Sequence, residues 1–166
     1  MNALLKSCLL AAGLVVAQLS LAQTPAVSST LTAARVETVA GKEVLARADN
    51  GKPGDLVEYA GNYHNATNHA VDKLMATIPV PTGTTFVAGS ASPGAAQAST
   101  DGVRFAPMPL MRSVRKPDGT FRQEPVPLAE YRFVRWELGT LAGGADAVVK
   151  LRVQIDSNAA TASAKP

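Results

Sequence analysis

Ala147-Val148-Val149-Lys150-Leu151-Arg152-Val153-Gln154-Ile155 is the stretch that decides the fold. Val149, Leu151, Val153 and Ile155 alternate with Lys150, Arg152 and Gln154. Successive side chains of an extended strand point to opposite faces, so this run has one apolar face and one wet face. A strand built that way must bury its apolar face against a second layer.

Working outward, the same alternation recurs. In Leu56–His64, Val57, Tyr59 and Tyr63 share one face, and Glu58, Asn62 and His64 share the other. Gly61 interrupts the first set, as at a bulge or a close backbone approach. Tyr131–Leu138 puts Val134, Trp136 and Leu138 on one side, with Tyr131 and Phe133 opposite. Shorter strands are expected at Arg35–Val39, Glu43–Ala46, Val71–Ile78, Thr84–Ala88 and Gly102–Ala106.

Turn chemistry falls between these runs. Asn50-Gly51 and Lys52-Pro53-Gly54-Asp55 reverse the chain before Leu56, and Pro79-Val80-Pro81-Thr82-Gly83 separates two runs and cannot sit mid-sheet. Lys116-Pro117-Asp118-Gly119 joins Arg112–Arg115 to Thr120–Arg122 as a hairpin. No repeat, no long helical period and no glycine-rich strand-to-helix turn is present. The expectation is an all-β, two-sheet β-sandwich of about seven to nine strands closing around Trp136.

The ends read differently. Residues 1–22 have the form of a signal peptide: Lys6 in a short n-region, an apolar run Cys8–Ala17, and small residues at Ser20 and Ala22. The apolar run is short of the ~20 residues that span a bilayer, so no stable membrane insertion is expected after cleavage. Gln23, not Cys, follows the cleavage site, which excludes lipid attachment there. Residues 23–34 are expected to be a flexible leader, 35–156 the sandwich, and 157–166 a disordered tail without large apolar residues. Cleavage removes Cys8, the only cysteine, so disulfides and thiolate chemistry are excluded from the exported chain. A chain near 150 residues buries about 68–70% of its unfolded surface, enough for one core.

Charge selects no partner. The chain carries 16 Lys+Arg against 13 Asp+Glu. The locally basic segment Arg104–Arg135 lacks the dense cluster with stacking aromatics that nucleic acid demands, so no nucleic-acid binding is expected.

Several constellations bear on possible chemistry. His64 and His69 lie near Asn62, Asn65, Asn68 and Asp72, but no third metal ligand is indicated, and exposed loop histidines are the plainer reading. Met75, Met108 and Met111 offer soft sulfur for Cu(I), although methionine more often fills core gaps. Asp49, Asp55, Glu58 and Asp72 lack calcium-loop spacing. Ser90 is not in a nucleophile elbow, and the sequon Asn65-Ala66-Thr67 carries no weight behind a bacterial-type signal. Pro107–Pro127 is the most distinctive stretch. It reads either as a projecting basic binding hairpin or as a decorated connection whose Leu110 and Val114 cover the core edge.

Gly51-Lys52-Pro53-Gly54-Asp55-Leu56-Val57-Glu58-Tyr59, followed by Asn65, resembles the opening of the bacterial envelope repeat family called domain of unknown function 11. Ile78–Ser90 resembles that family's proline–glycine turn and next strand, and Trp136–Ala145 with the strand to Ile155 resembles its closing block. The resemblance implies an immunoglobulin-like sandwich in exported or surface proteins, often in tandem, and no catalytic residues. This chain has a single copy, no recognisable wall-anchor signal and a less familiar segment from Ala106 to Glu130. A free periplasmic domain therefore fits better than a long surface stalk.

The resulting expectation is a non-catalytic, periplasmic or secreted domain, an interaction or structural module of the bacterial envelope whose partner is a protein or polymer. No catalytic residue, cofactor or metal site is assigned. The alternative is a small periplasmic metal-binding protein or a hydrolase using His64 and His69. Oligomeric state is left open.

Overall fold

The computed structural model describes residues 26–157. The signal peptide, the first leader residues and nearly all of the expected tail lie outside them. The strands are β1 (Val27–Val39), β2 (Lys42–Arg47), β3 (Leu56–Asn65), β4 (Val71–Pro79), β5 (Thr84–Phe86), β6 (Ala96–Ser99), β7 (Ala106–Pro107), β8 (Met111–Arg115), β9 (Phe121–Pro125), β10 (Phe133–Leu141) and β11 (Asp146–Ile155). One 3-10 turn, Leu128–Glu130, precedes β10. A five-stranded sheet in the order β2-β1-β3-β11-β5 faces a four-stranded sheet in the order β4-β10-β6-β7. The all-β two-layer sandwich expected from the sequence is the fold. Its two sheets hold nine of the described strands, and β8-β9 form a separate two-stranded arm.

Alternation builds the core. Val149, Leu151 and Val153 of β11 are fully buried, and they meet Val134 and Trp136 of β10 and Ala76 and Ile78 of β4. Each buried aliphatic side chain contributes roughly 1.5–3 kcal/mol. Trp136 is flanked within its own sheet by Ala76 of β4 and Ala96 of β6, so its bulk is matched by small neighbours on both sides. Gly61 marks a close approach, not a bulge. A Cβ there would stand 3.3 Å from Val149 Cγ2 and 3.6 Å from Ile78 Cδ1, and the β3–β11 register runs unbroken. The irregularity lies in β10 instead, where register shifts flank Gly139 at φ +69°.

Four expectations need correction, and one strand has no counterpart among them. The flexible leader 23–34 is overturned from Val27 onward, because Val27–Val36 pairs antiparallel with Leu56–Asn65. The sandwich therefore starts at residue 27 among the described residues, not at 35. Its Ser/Thr-rich sequence gives no alternation, and residues 28–33 are exposed on both faces, so this stretch has no apolar face to bury. Gly102–Ala106 is mostly a turn. Asp101 Oδ1 accepts the N–H groups of Val103 and Arg104, both at 2.8 Å, and those bonds hold its carboxyl below the usual range. Strand β6, Ala96–Ser99, carries no sequence signal because Ala-Gln-Ala-Ser has little strand propensity. Tyr131 does not share a strand face with Phe133. It sits ahead of β10 and is fully buried. Of the three methionines among the described residues, Met108 packs on the core, while Met75 and Met111 are exposed.

Candidate binding cleft at one end of the sandwich

Beyond β5 the chain lies along the outer edge of β11. Val87 N–H donates to the Arg152 carbonyl at 2.9 Å, and Ser92 and Lys150 exchange backbone hydrogen bonds of 2.9 and 2.7 Å. Ser90 Oγ accepts the Arg152 N–H at 2.9 Å and donates to the Val87 carbonyl at 2.7 Å. The serine considered as a nucleophile is thus a loop fastener. Trp136 Nε1 donates to the Pro93 carbonyl at 2.8 Å, tying the end of this loop to the core.

Facing that loop are Met108, Pro109 and Leu128, and between them opens a cleft of about 360 Å³. Phe86 and Tyr131 line it as a stacked pair, with centroids 5.7 Å apart and planes within 8°. The Tyr131 hydroxyl accepts the Leu110 N–H at 2.7 Å. Among the described residues that line the cleft, Tyr131 is the one titratable side chain, and its oxygen accepts the Leu110 N–H. The cleft is lined mainly by apolar side chains and can hold an apolar group. Tyr131→Phe keeps the ring stack but strands the buried Leu110 N–H. We expect urea unfolding to show a loss of about 1–3 kcal/mol with an unchanged far-UV spectrum.

The β8–β9 arm rises from the rim of this cleft. Its base is closed by Val126 N–H donating to the Leu110 carbonyl at 2.8 Å. Its turn is the one expected at Lys116–Gly119, with Gly119 N–H on the Lys116 carbonyl at 2.9 Å. Asp118 Oδ1 accepts from the Thr120 hydroxyl and N–H, and these bonds depress its pKa. Met111 and Phe121 are 51% and 67% exposed. Leu110 does cover the core edge, as one reading of this segment held, but the arm beyond it packs into neither sheet. Arg112, Arg115, Lys116 and Arg122 outnumber Asp118 and Glu124 along it.

Family models, curated proteins and solved structures yield no match to this chain. The remaining candidates therefore stand on geometry alone. His64 Nδ1 lies 2.9 Å from Asp146 Oδ1 on a solvent-facing strand end. His69 is exposed and contributes its carbonyl to Asn65. Asp72 accepts from Thr140 Oγ1, Asp55 from the Lys52 N–H, and Asp49 pairs with Arg47. Glu58, only 9% exposed, is held by Arg152 at 3.1 Å and Lys150 at 3.3 Å. Arg152 also grips both oxygens of Glu43, which lowers the Glu43 pKa. Each carboxylate serves a different local contact, and among the described residues no three His, Cys, Asp or Glu side chains converge on a metal position. The basic segment is similarly dispersed, with Arg112 on Glu130 and Arg135 stacked 3.8 Å over Phe105.

Sequence reasoning missed the cleft and found the arm. The only trace of the cleft is Ala88-Gly89-Ser90-Ala91, whose small side chains leave room without announcing any chemistry.

Proposed function

We propose that this chain is a non-catalytic interaction domain of the bacterial envelope that seats an extended segment of a partner protein. The segment places an apolar side chain in the cleft and lays flanking acidic residues against the basic arm. The observation that carries this reading is the apolar cleft beneath an arm that exposes Phe121 and Met111 and carries Arg115 and Lys116, which pair with no carboxylate among the described residues, whereas Arg112 and Arg122 pair with Glu130 and Glu124. Buried aromatic anchors beside complementary charge are the usual makings of a recognition site. Export rests on the tripartite leader at residues 1–22, and membership of the envelope repeat family rests on strand–turn motifs alone.

In-cell photo-crosslinking tests the whole reading. A crosslinker at Met108 in the cleft and another at Phe121 on the arm are expected to trap the same protein in the periplasmic fraction. Val103 and Val44, both exposed elsewhere, serve as controls. The double variant Arg115→Glu, Lys116→Glu is expected to cut the yield several-fold. Recovery only from the cytoplasm, different proteins at the two positions, or equal yield at the controls would each overturn it.

A further inference from the structure

The five-stranded sheet has one long edge without protection. β1 pairs with β3 along Val27–Val36, but on its other side β2 covers only Ala34–Val39. Val27–Ala33 therefore presents a free backbone edge among the described residues. A free strand edge is a template for another strand, and proteins blunt such edges with charge, proline, irregular backbone or shortness. The other edges are blunted. β2 carries Lys42, Glu43 and Arg47. β4 carries Asp72, Pro79 and Lys73 at φ +56°. β5 and β7 have three and two residues. Val27-Ser28-Ser29-Thr30-Leu31-Thr32-Ala33 has no charge, proline or glycine.

We infer that this edge pairs with the same edge of a second copy, joining two five-stranded sheets into one across a twofold axis. A run without charge meets itself without repulsion, as an isologous contact requires. Register selects the arrangement. Ala66 N–H donates to the Ala26 carbonyl at 3.1 Å, and Ser28 and Thr32 lie opposite His64 and Ala60. Backbone groups alternate along an antiparallel ladder, so Ala26, Ser28, Thr30 and Thr32 turn theirs toward β3. Val27, Ser29, Leu31 and Ala33 turn theirs to the open edge. With the twofold axis at Thr30, Val27 meets Ala33 of the second copy and Ser29 meets Leu31, so every outward group finds a partner. Leu31, 50% exposed, then lies diagonal to its counterpart on the same face. The staggered end of β2 leaves space for this, because it stops opposite Ala34.

The axis residue supplies the test. Thr30 faces Thr30 of the second copy in a non-hydrogen-bonded pair, where Cα atoms stand about 4.5 Å apart, within disulfide range. The full chain is expressed with Cys8→Ser, which removes the sole native thiol, and with Thr30→Cys. Mild oxidation is expected to convert most of the purified protein to a species of twice the mass, and the Val44→Cys control is expected to stay monomeric. Without the added cysteine, light scattering should show a concentration-dependent dimer. Leu31→Lys, at an exposed position that leaves the fold intact by circular dichroism, should raise its dissociation constant by at least ~10-fold. A single monomeric mass at all concentrations would overturn the proposal, including the case in which another part of this chain covers the edge. Equal oxidation of the Thr30→Cys and Val44→Cys proteins would do the same. Neither outcome bears on the cleft, which lies beside β5 at the other side of the sheet.

Discussion

Asn65→Ala is expected to lower the unfolding free energy by about 3 kcal/mol, because it leaves several buried polar groups without partners at once. Asn65 is completely buried at the end of β3. Its Nδ2 donates to the carbonyls of His69 at 2.7 Å, Leu141 at 3.0 Å and Ala142 at 3.1 Å. Its Oδ1 accepts from the Thr67 N–H at 3.1 Å and the Thr67 hydroxyl at 2.8 Å. One amide thereby clamps the β3–β4 turn to the β10–β11 turn. The clamp fits only because Gly143 lets the second turn approach: a Cβ there would stand 2.5 Å from the Asn68 carbonyl carbon. Asn65→Asp should cost at least as much, since it swaps a donor for an acceptor facing three carbonyls. Urea titration followed by Trp136 emission measures both, and a change under about 1 kcal/mol for either would show that the clamp carries no weight.

The clamp also shows what kind of information the sequence held. Asn65 was visible there in two guises, as part of a glycosylation sequon and as a residue of the family resemblance, and neither told its role. A hydrogen-bond hub depends on a partner turn some 76 residues away, as the Leu141 contact spans. The long strands were legible because their apolar faces are buried, and burial imposes alternation. Val149, Leu151 and Val153 display that pattern fully. Ser28 to Thr32 of β1 could not, since they are exposed and nothing among the described residues packs over them. Ala96 and Ala98 of β6 could not either, because their job is to be small beside Trp136 and Val134. The cleft was illegible for a related reason. It joins Phe86, Met108, Leu128 and Tyr131 from separate segments, and it is defined by side chains that Ala88 and Gly89 lack. The basic hairpin was legible because turn chemistry is local, and Lys116–Gly119 carries its own instructions.

Trp136 gives the second large effect. Trp136→Ala is expected to cost about 3–5 kcal/mol, a sizeable share of the 5–15 kcal/mol that holds a typical domain together. The loss cannot relax away cheaply, because the residues beside it in the sheet, Ala76 and Ala96, are too small to fill the void. Far-UV circular dichroism during urea unfolding measures the change, since the variant has no indole to report. Trp136→Phe separates two roles of the side chain. It keeps much of the apolar bulk but leaves the Pro93 carbonyl without the donor now 2.8 Å away. Its cost should be smaller, about 1–3 kcal/mol. Its second signature should be local, because Pro93 anchors the loop that walls the cleft. Faster amide exchange at Ser92 and Lys150, whose backbone pair fastens the same loop to β11, is expected in the Phe variant. Unchanged exchange at both amides would mean that the Ser92–Lys150 pair holds the wall without help from the indole. The cleft would then be rigid on the strength of the sheet edge alone, and a partner seated in it would read no change at Trp136.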